Sequence, residues 1–318
     1  MQISITNGLF TKRSMEIALN YKHKIGCIVA IIAFVQLVLA ADKNDSKEIK
    51  LYINKPKDVL ESFYTCEQSH VIKFEVGNKT TITRENKKRQ DRCIDTFSVS
   101  EGNEVKFDRF YSKAIIKTEG KENPLINQGK TISVTLTSAT CIASQLNANG
   151  KLADDALKIL SLEIQSRIND EFYIGMMPDK KLLIGESWKV DCSNQIDTIQ
   201  DDKSIIVDRK LSVGNCKLSR AFSRYGKPRL ELLAEFDFVL KSMKIDDIYI
   251  EFSPKSKISI VTEWDICADG RHPEKNLKSD IKVNYSLKIG ETVLTVDNHL
   301  LVSNFIRRHD KSIKREDK

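Results

Sequence analysis

Ile281-Lys282-Val283-Asn284-Tyr285-Ser286-Leu287-Lys288-Ile289 alternates without a break: each odd position is apolar and each even position polar. Successive side chains of an extended chain point to opposite faces, so this stretch reads as a strand with one face buried and one in water. The pattern recurs in Leu230, Leu232, Ala234, Phe236, Phe238 and Leu240, with Glu231, Glu235 and Asp237 opposite. It returns in Ile258, Ile260, Thr262, Trp264 and Ile266, and in Ile248, Ile250 and Phe252. Val71–Val76, Thr80–Arg84, Val105–Lys117 and Thr131–Ser138 repeat it less cleanly.

One apolar and one polar face mark antiparallel sheet. Several of these stretches exceed the five or six residues of an ordinary strand. The expected fold is therefore mainly β, a β-rich α+β chain with long, curved antiparallel sheets in two halves. One segment departs from it. Leu152–Ile168 places Ala153, Leu157, Leu160, Ile164 and Ile168 at helical spacing, with Asp154 and Asp155 in the first turn and Arg167 in the last. Acids at the start and a base at the end suit the helix dipole, so the principal helix is expected near 152–168. Met177–Trp188 (MPDKKLLIGESW) carries a Pro and a Gly and reads as a connector over 177–188. It separates a first β-rich half, 45–176, from a second, 189–306, and a charged tail, 307–318, reads as a frayed terminus.

The long apolar run is Ile25–Ala41, preceded by Lys22-His23-Lys24 and followed by an abrupt polar turn at Asp42. A basic region, an apolar stretch and small residues form the layout of a secretory signal. Residues 1–41 are read as that signal, with cleavage after Ala40 or Ala41; a start at Met15 would give a basic region of ordinary length and make 1–14 an upstream extension. A retained single-pass anchor is the competing reading, although seventeen residues including Gln36 fall short of the roughly 20 that span a bilayer. The expected location is periplasmic or extracellular, with membrane contact only through an uncleaved signal. Without residues 1–40 the chain holds 47 basic and 43 acidic residues, too nearly balanced for a nucleic-acid footprint.

Beyond Cys27 lie Cys66, Cys93, Cys141, Cys192, Cys216 and Cys267, an even number with no Cys-x-x-Cys spacing. In an oxidising compartment that count predicts disulfides. The expected pairing is local, Cys66–Cys93 and Cys192–Cys216, which leaves Cys141–Cys267 as a longer link. Each bridge would contribute about 2–4 kcal/mol by restricting the unfolded chain.

Chemistry-bearing motifs are sparse. Gly129-Lys130-Thr131 suggests a phosphate loop, but the glycine such a loop needs five residues earlier is Pro124, so a turn leading into a strand is the better reading. Gly185-Glu186-Ser187-Trp188-Lys189 lacks the closing glycine of a nucleophile elbow. His70, His272, His299 and His309 form no i, i+4 metal pair. Asp265 through Gly270 opens like a calcium loop without the remaining ligands, and Asp269-Gly270 reads as a hairpin turn. The pairs Asp154-Asp155, Asp201-Asp202 and Asp246-Asp247 read as caps or turns. Asn44, Asn78 and Asn284 each begin a glycosylation sequon. No catalytic residue, metal or cofactor is assigned.

Asn123-Pro124-Leu125, Gly129-Lys130-Thr131, Met177-Pro178 and Ile184-Gly185-Glu186-Ser187-Trp188 occur in an order that resembles a group of uncharacterised exported bacterial proteins. That group carries a PL-x-GK…LP…VG-x-x-W layout between two β-rich halves; here Met177 stands where Leu is expected before Pro178. The resemblance implies a two-part β fold and no activity. The expected function is an exported, non-catalytic β-rich protein that binds a lipid-like, apolar ligand or a protein partner in the cell envelope. An envelope-associated structural or interaction protein with a packed interior is the alternative, and a hydrolase built from scattered acids and histidines a third. An apolar cavity would favour the ligand binder.

Overall fold

Val71–Val76 and Thr80–Arg84 face each other across a two-residue turn at Gly77-Asn78, so that Val76 pairs with Lys79. In the computed structural model, which describes residues 55, 57–101, 104–137, 141–145, 152–168, 176, 182–200, 204–245, 248–267 and 271–309, this hairpin is the tip of two very long strands. They are β1 (Val59–Val76) and β2 (Lys79–Glu101). The chain continues through β3 (Glu104–Thr118), β4 (Lys121–Pro124), β5 (Thr131–Leu136), β6 (Cys141–Gln145) and helix α1 (Asp154–Ile168). Then come β7 (Ser187–Val190), helix α2 (Ser193–Ile199), β8 (Ile205–Arg224), β9 (Lys227–Ile245) and β10 (Ile248–Glu251). The last three strands are β11 (Lys257–Cys267), β12 (Lys275–Ile289) and β13 (Thr292–Arg308).

All thirteen strands join one antiparallel sheet in the order β6-β5-β3-β2-β1-β13-β12-β11-β9-β8-β7, with β10 on β9 and β4 on β3. The chain is thus mainly β and antiparallel, with two short helices among the described residues. Long strands, expected from the alternation, are the dominant feature: β2 has 23 residues and β8 has 20. Two wings meet where β1 pairs with β13, from Leu60 opposite Arg308 to Val76 opposite Thr292. That pairing takes Arg307 and Arg308, the start of the expected frayed tail, into the sheet. Ser187 and Trp188, at the end of the expected connector, already belong to β7.

Turn chemistry explains how strands this long return on themselves. Tyr225 (φ 51°) and Gly226 (φ 74°) both occupy the left-handed region between Arg224 and its partner Lys227. Two such residues in sequence form the turn whose twist matches that of a β-ribbon. Glu119 and Gly120 do the same between β3 and β4.

The inner face of the sheet carries two main cores. In the wing of β8 to β13, Phe236, Phe238, Ile258, Ile260, Ile281, Val283 and Val296 pack with Tyr64 and Ile72 of β1, and α2 adds Ile196 and Ile199. Phe236 and Phe238 stack at 5.7 Å between centroids, and Phe252 meets Tyr285 edge-on at 5.2 Å. In the other wing, Phe97, Phe107, Tyr111, Ile132 and Val134 pack beneath Leu160 and Ile164 of α1. A fully buried aliphatic or aromatic side chain stabilises by about 1.5–3 kcal/mol, so these two clusters dominate the folding energy. Helix α1 therefore covers a sheet, as its leucine spacing requires; Ala153, expected on the buried face, instead lies exposed just before the first turn.

Two groups of opposite charges enter the inner face of this wing. Arg109 of β3 lies opposite Asp95 of β2, and its Nε and Nη2 donate to the two carboxylate oxygens at 2.7 and 2.6 Å. Burial alone would lower the Arg109 guanidinium, but the Asp95 carboxylate beside it holds it well above its ordinary range. Arg89 bridges Asp91 on its own strand and Glu163 of α1, and so fixes the helix to the sheet.

Candidate functional site

Alternation along a strand leaves two signals on a polar face: an apolar residue out of place, and a charge denied solvent. Both occur on the outer face of the central strands. Ile260-Val261 on β11 and Leu300-Leu301 on β13 are apolar doublets, so one member of each must point outward. Val261 is 39% and Leu301 45% exposed. With Thr65 and Glu67 of β1, Glu263 of β11, Lys278 and Asp280 of β12, and Ser303 of β13 they line an open groove of about 380 Å³.

The register sets the groove's pattern. Glu67 stands opposite Leu301, Thr65 opposite Ser303 and Glu263 opposite Lys278. Lys88 of β2 donates to Glu67 at 2.6 Å, His299 Nε2 lies 2.9 Å from Asp280 Oδ1, and Lys282 Nζ lies 3.5 Å from Asp280 Oδ2. Two exposed aliphatic side chains ringed by charges of both signs resemble the anchor-and-rim composition of a protein interface.

Next along the same face, Glu61 of β1 is only 2% exposed. Arg92 of β2 donates to one of its oxygens at 2.7 Å and Arg307 of β13 to the other at 2.8 Å. Both guanidiniums also lie over the Phe63 ring, at 5.4 and 5.1 Å from its centroid, and Phe305 stacks on Phe63 at 6.1 Å. Burial raises the Glu61 carboxyl, but its hydrogen bonds to Arg307 and Arg92 outweigh that and hold it below the usual carboxylate range. Three strands from the two ends of the sequence are thereby tied at one point.

The residues singled out from sequence are placed as follows. Gly129 (φ 71°) donates its N–H to the Tyr111 carbonyl and Lys130 donates to Asn127, a turn that feeds β5 and not a phosphate cradle. Ser187 opens β7, while Trp188 is half-buried and its indole N–H donates to the Met176 carbonyl at 2.5 Å. His70 is buried on the inner face, opposite Asn298 and Glu85, and lies away from His299 on the outer face. No group of metal-ligating side chains occurs among the described residues. The signal cleavage residues Ala40 and Ala41, the turn Asp269-Gly270, and the pairs Asp201-Asp202 and Asp246-Asp247 lie outside the described residues.

Of the three expected disulfides, the sheet register and strand order do not bring together Cys66 with Cys93 or Cys141 with Cys267. No disulfide forms among the described residues. Cys66 stands opposite Arg89, and Cys93 opposite Ser62, a displacement of four residues along the β1–β2 pair. At about 3.3 Å per residue that is roughly 13 Å, about twice the span a disulfide tolerates. Cys141 on β6 and Cys267 on β11 have β5, β3, β2, β1, β13 and β12 between them. Cys192 and Cys216 are the exception: both are buried at the β7–β8 edge, close enough for Cys192 to raise the Cys216 thiol further, after burial has pushed it up, to about 12.

The groove is not legible in the sequence because Thr65 and Glu67 of β1 join Val261, Lys278 and Leu301 from the other end of the chain, a juxtaposition that only the sheet order reveals. The doublets Ile260-Val261 and Leu300-Leu301 were the available signal.

No protein-family model matches the chain. No curated protein matches it either. Among solved structures, OccK9 (OpdG) of Pseudomonas aeruginosa aligns over 82% of this chain and 100% of its own at 8% identity and a TM-score of 0.23. An outer membrane channel from Pseudomonas putida F1 aligns over 85% of this chain and 100% of its own, at 10% identity and a TM-score of 0.20. Scores this low do not place the chains in a shared fold. The side-chain pattern also differs from that of a lipid-embedded barrel, which turns an apolar band outward. Here β12 turns Lys278, Asp280, Lys282, Asn284, Ser286 and Lys288 outward and buries Leu277, Ile281, Val283, Tyr285 and Leu287.

Proposed function

We propose that this is an exported, non-catalytic β-rich protein that binds a protein partner across the outer face of its sheet, at the groove formed by β1, β11, β12 and β13. The observation that carries the reading is that Val261 and Leu301, which flank Asp280 of β12, are both exposed in a groove otherwise lined by charged and hydroxyl side chains. Burying them against a partner would gain apolar area at a point where the surrounding charges set orientation. The lipid-carrier reading is the weaker one, because the inner face is filled by its own rings: Phe236, Phe238, Phe252 and Tyr285 occupy the space between strands.

The test is native mass spectrometry of the protein purified from the cells that make it, wild type beside Leu301→Glu. A bound polypeptide mass on the wild type that is lost from Leu301→Glu, with thermal stability unchanged, is the expected outcome. A mass of lipid size retained by both proteins would overturn the proposal in favour of a carrier. A polypeptide that stays bound to Leu301→Glu would place the interface elsewhere.

A further inference from the structure

We propose that Cys192 and Cys216 are a disulfide-forming pair that locks the β7–α2 edge onto β8. The proposal draws on the export reading only for the compartment in which a disulfide donor is met. Trp188 of β7 stands opposite Cys216 of β8, and Val190 opposite Gly214. Beyond Val190 the chain leaves the ladder: Cys192, with φ −81° and ψ 5°, is the residue from which α2 starts. This turn folds the Cys192 side chain back over β8. A Cβ on Gly214 would stand 2.7 Å from Cys192 Sγ and 2.7 Å from the Phe236 ring, so residue 214 leaves the space that the sulfur fills. Gly214 and Cys216 are two apart on one strand, hence on one face and about 6–7 Å from each other. Both thiols therefore share one buried chamber, and rotation of the two side chains with a small movement of the turn at Asp191-Cys192 brings the sulfurs together.

The chemistry is thiol–disulfide exchange with a small-molecule or protein disulfide. One cysteine thiolate attacks the donor S–S bond, which breaks to release a donor thiolate and leaves a mixed disulfide. The second cysteine, deprotonated, then displaces the other donor thiolate as the Cys192–Cys216 bond forms. The two cysteine protons pass to the two donor thiolates; the protein sulfurs lose two electrons and the donor disulfide gains two. Burial raises both thiols, with Asp191 adding to the effect on Cys192, so exchange in the closed native state is slow. Bridging belongs to the stage at which this edge is still open.

Reduced full-length chain is refolded in glutathione and glutathione disulfide, quenched with a maleimide, digested without reductant and mapped by mass. The expected product joins the peptides carrying Cys192 and Cys216, lighter by two hydrogens, and raises the thermal midpoint by about 5–10 °C over the reduced protein. The Cys192→Ala/Cys216→Ala variant is expected to fold and to lose this donor-dependent rise. Alkylation of both thiols at every donor ratio, linkage of either to another cysteine, or a rise that persists in the double variant would overturn the pairing. Refolding in vitro is independent of compartment: protein found reduced in its own cells but bridged on refolding would count against export and not against the pair.

Discussion

Asp95→Ala removes one half of a deeply buried ion pair and leaves the other half in place. Arg109 loses both charge-assisted hydrogen bonds, at 2.7 and 2.6 Å, while its guanidinium stays beside Phe107 with its centroid distance of 5.4 Å. Its side chain is 6% exposed, so water cannot replace the carboxylate without opening the wing. An unpaired buried charge of this kind costs about 3–5 kcal/mol. With a urea dependence of about 3 kcal/mol per molar for a chain of this size, the unfolding midpoint should fall by about 1–1.7 M with the slope unchanged. Asp95→Leu with Arg109→Met removes both charges and fills similar volume, and the same reasoning predicts a cost near zero or a gain, because both desolvation penalties vanish together. The double-mutant cycle should therefore show strong coupling. A single-variant cost below about 1 kcal/mol, or a double variant as unstable as the sum of the singles, would refute the argument from burial.

Three further outcomes are expected. Glu61 is held below its ordinary range by its arginines, so its contribution is fully present above about pH 4.5 and is lost as pH falls through the lowered folded value; Glu61→Gln should flatten the acid limb of a pH-stability profile. Phe238→Ala, at a fully buried position stacked on Phe236, should cost about 3–5 kcal/mol by chemical denaturation. Tyr225→Asn should stabilise by about 1 kcal/mol, read as a rise in thermal midpoint, since Tyr225 is exposed, sits at φ 51° and precedes Gly226 in a turn that favours Asn-Gly.

What the sequence revealed follows from the range of the forces involved. Alternation in Ile281–Ile289 depends only on neighbouring residues and one buried face, so β9, β11 and β12 could be read directly. The helix at Asp154–Ile168 could be read from its spacing and its acidic first turn, whereas Ala153 could not be excluded from it by period alone. Strand order depends on which turns are tight and which strands pair at long range, and nothing local to β1 names β13 as its neighbour. Cys66 and Cys93 stay apart for the same reason: nearness in sequence predicts a hairpin, but only register decides whether two side chains meet across it. Arg307 and Arg308 looked like a solvated terminus because the carboxylates they meet, Glu61 and Asp58, lie at the other end of the chain.

The join between β1 and β13 also has a consequence for how the protein is made. Glu61 waits for Arg307, a residue synthesised 246 positions later. At 5–20 residues per second that is a delay of about 10–50 s. A β1–β2 hairpin formed in that interval would leave the edge of β1, from Leu60 to Val76, with no partner strand yet in existence. A ribosome-bound chain arrested before β13 should expose this edge to pairing with other nascent chains, and synthesis of β13 should close it.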